Sequence, residues 1–186
     1  GATSRVAPRG IETRDNGVMT EVGALLVGRD RPWRSLVDAV GHSMDGSGGL
    51  VLVTGEAGIG KTALVASALD FARGTGAMVG VGGCWEGKGA PGYWPWVQIL
   101  RSLRLDLPPS VWDRGRDEAG VGLERLLGEQ TLPSGDTGEH GGTFAVLDAV
   151  TTLLQVVARH RPLVLTIEDL HWADLATLRL LGVAAR

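Results

Sequence analysis

A chain of 186 residues, 44% of them hydrophobic, has the size of one domain and enough apolar material for a single core. Its formal charge of −3, spread without acidic or basic blocks, lacks the basic footprint of a phosphate-backbone binder, so direct contact with DNA is not expected. The lone Cys84 excludes an internal disulfide, no apolar run approaches the roughly 20 residues of a bilayer span, and the polar N-terminus lacks a secretory stretch; a cytoplasmic protein without a membrane partner is expected.

Residues 1–20 mix Gly, Pro, Arg and Ser without periodicity and read as a flexible leader, with one domain over 21–186. A helix begins near Arg31: Pro32 suits a first turn, and Trp33, Leu36, Val37 and Val40 form an apolar stripe. Leu50-Val51-Leu52-Val53-Thr54, β-branched and bounded by glycines, reads as a buried strand. Residues 61–73 carry Leu64, Val65, Ala68, Leu69 and Ala72 at helical spacing, and Gly74 and Gly76 end that helix. Residues 77–84 read as a second strand weakened by glycines, and a helix follows over about 95–103. Residues 107–142 look irregular, a poorly ordered insert with one short helix near 123–127. A strong helix spans 143–159, a third strand Leu163–Ile167 ends in Glu168-Asp169, and Asp174 caps a last helix. Strands alternating with helices predict an α/β fold with a parallel sheet.

Between the first strand and its helix, Gly55-Glu56-Ala57-Gly58-Ile59-Gly60-Lys61-Thr62 matches G-x-x-x-x-G-K-[ST]. Glycines let main-chain amides turn inward as an anion nest, and the helix points its positive end at the same charge. In this reading the loop and Ala63 after it cradle ATP, Lys61 reaches the β- and γ-phosphates, and the Thr62 hydroxyl ligates Mg²⁺. The competing explanation is a chance match in a chain with 29 glycines, but only Lys61 and Lys88 are lysines, which makes such a match rare.

Glu168 and Asp169 close the third strand, and in open parallel sheets ligands sit beyond the carboxyl ends of the strands. Glu168 is assigned to the magnesium, through water, and Asp169 to the attacking water. The bland alternative is a strand running out into solvent.

The string Leu165-Thr166-Ile167-Glu168-Asp169-Leu170-His171-Trp172-Ala173-Asp174, with Leu26-Val27-Gly28-Arg29-Asp30 upstream, resembles the AAA-type ATPase domain of the STAND group. The stretch from Gly83-Cys84-Trp85-Glu86 to Tyr93-Trp94-Pro95-Trp96 is similar to the segment after that group's second strand. The resemblance implies a three-layer α/β/α P-loop NTPase fold, ATP and Mg²⁺ as cofactors, and an adenine-side role for Gly28 and Arg29. It implies Lys61, Glu168 and Asp169 as the catalytic set. Relatives often carry two aspartates at the strand end, so Glu168 here lengthens the arm to the metal by one methylene. Such domains occur in large LuxR-type transcriptional regulators and in multidomain proteins with cyclase or kinase modules. A nucleotide switch in a longer signalling protein is therefore expected, meeting DNA only through other domains and able to homo-oligomerise on ATP. The family's sensor strand, which lies between the loop strand and the acidic strand, its arginine finger and its helical lid all come later in sequence. The chain is thus expected to stop before them, to bind nucleotide weakly and to turn over little. Three readings stay open: hydrolysis to ADP and phosphate, a non-hydrolysing ATP/ADP-binding regulatory module, and a P-loop small-molecule kinase.

Other residues carry weaker signals. His171 fits either a γ-phosphate contact or a packed strand–helix corner. Asp169, His171 and Asp174 lack a second cluster at zinc-ligand spacing. Cys84 reads as a buried structural thiol, Trp94 and Trp96 as packing under a loop, and Lys88 as solvated.

Overall fold

The computed structural model describes residues 30–87, 91–128 and 139–185; the leader, Gly28, Arg29 and Lys88 fall outside them. Within that range the order is α1 (Asp30–Met44), α2 (Lys61–Gly74), β1 (Met78–Gly83), α3 (Trp94–Asp106), α4 (Pro109–Ala119), α5 (Val121–Leu127), α6 (Glu139–His160), β2 (Leu163–Glu168), a 3-10 turn (Leu170–Trp172) and α7 (Leu175–Ala184).

β1 and β2 pair in parallel, from Met78 opposite Leu163 to Gly83 opposite Glu168. Side chains alternate across a strand, so the pair must be covered twice. Val79, Val81 and Val164 face Val40, Leu69 and Ala72 of α1 and α2. Met78, Leu163, Leu165 and Ile167 face the larger cluster built by Trp96, Ile99 and Leu100 of α3, Val150 and Leu153 of α6, and Leu180 of α7. The result is a layered α/β/α arrangement around a small parallel sheet.

The glycines of β1, which look like weaknesses in the sequence, are what let α3 approach. A methyl at Gly80 would lie 2.8 Å from Leu165 Cδ2 and 2.9 Å from Ile99 Cγ2, and one at Gly82 would overlap the Pro95 carbonyl. Trp96, 1% exposed, is fixed there by its indole N–H, which donates to the Thr177 carbonyl at 3.2 Å. On the other face the Trp33 indole donates to Ser67 Oγ at 3.1 Å and meets the Phe71 ring edge-on at 6.2 Å, joining α1 to α2.

Three expectations change. Leu50–Thr54 forms no strand; Leu50, Val51 and Leu52 are 60%, 48% and 67% exposed. The physical reason is pairing: β1 takes β2 as its neighbour, and no described segment offers a ladder to 50–54. The stretch after 107 is not irregular up to Gly128: α4 and α5 pack on α6 and bury Trp112 and Leu123. A methyl at Gly115 or at Gly122 would collide with α6, at Leu153 and at the Ala145 carbonyl, so these glycines are what let α4 and α5 pack there. Finally, residues 142–160 of α6 are long and apolar enough to cross a membrane by length and composition. Their Ala149, Val150, Leu153, Leu154 and Val157 are core of the larger cluster, which accounts for that composition.

Candidate functional site

The loop before α2 owes its shape to glycine. Gly60 caps the helix at φ 85°, ψ 33°, and Gly58 sits at φ 75°, left-handed conformations that cost an L-residue about 1–2 kcal/mol. A glycine cap offers no side-chain acceptor to the helix amides, and the first turn of α2 holds no acid. The positive end of the helix is therefore left for an external anion. Lys61 folds back over the loop, its ammonium donating to the carbonyls of Gly55 and Glu56 at 2.9 Å each. Gly55 through Ile59, Thr62 and Ala63 are solvent-exposed, while Gly60 and Lys61 are half-buried.

The acidic pair sits where the sequence put it. Glu168, half-buried, ends β2 opposite Gly83, and its carbonyl accepts the Cys84 amide at 3.0 Å. Asp169 is exposed and left-handed at φ 54°, ψ 42°, and its carbonyl accepts the Trp172 amide at 2.8 Å, which closes the 3-10 turn. Non-glycine residues hold such angles only where their surroundings fix them, and they gather at functional sites.

Helix and strand lengths relate the two halves. The carboxyl end of α2 turns directly into β1, with the Ala77 amide on the Ala72 carbonyl at 3.0 Å. Fourteen helical residues rise about 21 Å and six strand residues about 20 Å. Because α2 packs on both strands, Lys61 returns to the level of Gly83 and Glu168. Loop and acids thus share one end of the sheet, although the described bonds of the Lys61 ammonium go to the loop itself. Gly28 and Arg29 lie outside the described residues.

A second cluster at the same strand ends was visible in sequence only as a helix cap. Asp174 Oδ1 accepts the Thr177 amide at 2.8 Å; its Oδ2 accepts the Thr177 hydroxyl at 2.7 Å and the Tyr93 amide at 3.3 Å. Burial pushes its carboxyl upward, but the bonds from Thr177, Tyr93 and Ala176 outweigh that and hold it below the ordinary aspartate value. Burial pushes the neighbouring Cys84 thiol up, and the charges of Asp174 and Asp169 add to the rise, so Cys84 is a protonated, half-buried group rather than a nucleophile. His171 is exposed and rests against the Trp172 ring at 5.1 Å. Among the described residues no group of acids, histidines and cysteine makes a metal-binding cluster, so the zinc reading of Asp169, His171 and Asp174 gains no support. A concavity of about 400 Å³ between α4 and α5 shares no residue with the loop or the strand ends.

The chain has no match among curated proteins or solved structures. The glycine loop turned onto a helix end, the lysine folded over it and the acid closing a parallel strand stand in a chain whose residues 25–186 match the sequence pattern of the AAA ATPase domain; the chain belongs to that family.

Proposed function

We propose that this domain binds ATP in the loop Gly55–Thr62 and hydrolyses it to ADP and phosphate with Mg²⁺, as the nucleotide switch of a larger signalling protein of the LuxR-regulator kind. The observation that carries the reading is the Lys61 ammonium held over the loop by the Gly55 and Glu56 carbonyls, in front of an acid-free helix end. A triphosphate entering there meets main-chain amides and one cation, and the ammonium needs only to exchange two carbonyls for phosphate oxygens.

The residues fit a magnesium ion as well. Thr62 stands exposed in the first turn of α2, and Glu168 ends β2 at the same end of the sheet. Magnesium, when bound, neutralises charge on the β- and γ-phosphates. Thr62 would hold it directly and Glu168 through water, the longer glutamate arm suiting an indirect contact. Asp169, exposed beside Glu168, would orient the attacking water.

Calorimetry and phosphate release of the full-length protein test this together. Lys61→Ala should weaken ATP binding by about 30-fold, the equivalent of about 2 kcal/mol for a charge-assisted contact. Glu168→Gln should bind ATP as wild type does and release phosphate on the order of 100-fold more slowly. Unchanged ATP affinity in Lys61→Ala would remove the loop from the site. Tight binding without phosphate release would make the domain a non-hydrolysing switch, and release only with an added acceptor would make it a kinase.

A further inference from the structure

Three of the chain's six tryptophans converge on one small cleft beside the strand ends, and the nucleotide reading gives them no task. Trp85 follows β1, Trp94 opens α3 and Trp172 ends the 3-10 turn; together with Pro95, Cys84 and Asp174 they line a space of about 100 Å³. Trp85 and Trp172 are 63% and 46% exposed, so these indoles are not committed to the core as Trp96 and Trp112 are. Among the described residues, Asp174 supplies the one charged side chain in the lining.

We infer that this cleft is a binding site for a small alkylated ammonium cation, held between the indoles of Trp85, Trp94 and Trp172 and neutralised by the Asp174 carboxylate. Indole faces carry negative charge density and attract cations that shed water easily, which favours an alkylated ammonium over a bare one. Trp94 already does this inside the chain, with the Arg101 guanidinium carbon 5.9 Å from its ring centroid. The carboxylate is fixed and stays ionised: Thr177 and Tyr93 donate to it, and its field is felt at the Cys84 thiol. A hard divalent metal does not suit the cleft, because one carboxylate among indoles falls far short of six oxygens. The volume matches about three waters at ~30 Å³ each, the size of a trimethylammonium head and much less than the several hundred Å³ that hold a larger ligand. The geometry is held independently of the phosphate loop: Tyr93, left-handed at φ 63°, is fixed to Asp174, and Trp96 to Thr177.

The test is proton NMR of choline chloride titrated with the protein, read on the N-methyl signal, with sodium chloride at matched ionic strength. Ring currents from the indoles should move that signal upfield with saturable dependence. Trp85→Ala and Trp172→Ala, both exposed positions, should each weaken binding about tenfold. Asp174→Asn, which keeps an N-cap side chain but removes the charge and one of the two acceptor oxygens, should do the same. The neutral isostere 3,3-dimethylbutan-1-ol should bind at least tenfold more weakly than choline, and Lys61→Ala should bind choline as wild type does. The last comparison separates this site from the nucleotide site, so either can fail alone. Absence of a saturable shift, equal binding of the neutral isostere, or unchanged affinity in Asp174→Asn would overturn the proposal.

Discussion

Asp174 shows how one side chain can hold three elements. Its carboxylate caps α7 through the Thr177 amide and hydroxyl and also accepts the Tyr93 amide at the start of α3, beside the ends of β1 and β2. Replacing an N-cap aspartate by alanine costs about 1 kcal/mol, so Asp174→Ala should lower the unfolding free energy at pH 7 by that amount, read from denaturant titration. Because the folded state holds this carboxyl below its ordinary value of 3.8, the contribution is complete above that pH and fades as pH falls through 3.8 toward the folded value. The stability gap between wild type and Asp174→Ala should therefore close in acid. A gap that stayed constant down to pH 2 would mean that the charge of Asp174 does no stabilising.

At the scale of elements, the segment Leu50–Thr54 and helix α6 make opposite use of similar residues. Leu52 is 67% exposed, whereas Leu153 is fully buried against α3, α4 and the sheet. Leu52→Ala should change stability by less than about 0.5 kcal/mol. Leu153→Ala should cost about 2–5 kcal/mol, as cavity formation in a packed core does. Equal losses in chemical denaturation would show that 50–54 is buried in solution after all. The same contrast explains what could be read in advance. The stripes of α1, α2 and α6, the Asp174 cap with Thr177 three residues on, and the run Leu163–Ile167 are local patterns, and the chain follows them. Pairing is not local: Leu50–Thr54 has the composition of a strand, but composition does not say whether a neighbour exists to complete its ladder. The irregular look of 107–128 has the same cause: Gly115 of Pro109–Ala119 is the small residue that lets α4 meet Leu153, a fact carried by a partner some forty positions away. The loop's residues were legible from their spacing, while the indole cleft was not, since Trp85, Trp94 and Trp172 meet only once the strand ends are assembled.

For the whole molecule, the sheet divides two unequal cores. The cluster between the sheet and α1–α2 is small, built on Val40, Leu69, Ala72, Ala77 and Val79, and it carries the phosphate loop at its rim. The cluster on the other face is three times as rich in buried residues and includes Trp96, Trp112, Leu123 and Leu153. Opening free energy follows buried apolar contact, so the loop side should open while the α3–α6 side stays closed. Amide hydrogen exchange should accordingly be faster in α1 and α2 than in α3 and α6. In the proposed reading ATP with magnesium binds at the N-terminal end of α2 and would stabilise only conformations in which the loop is formed. Nucleotide should therefore slow exchange in α2, and in α6 by a similar factor wherever α6 opens only together with the loop, because both openings then give up the bound nucleotide. Protection of α2 alone would mean that α6 opens while the loop stays formed, and protection confined to α6 would contradict the placement of nucleotide at the loop.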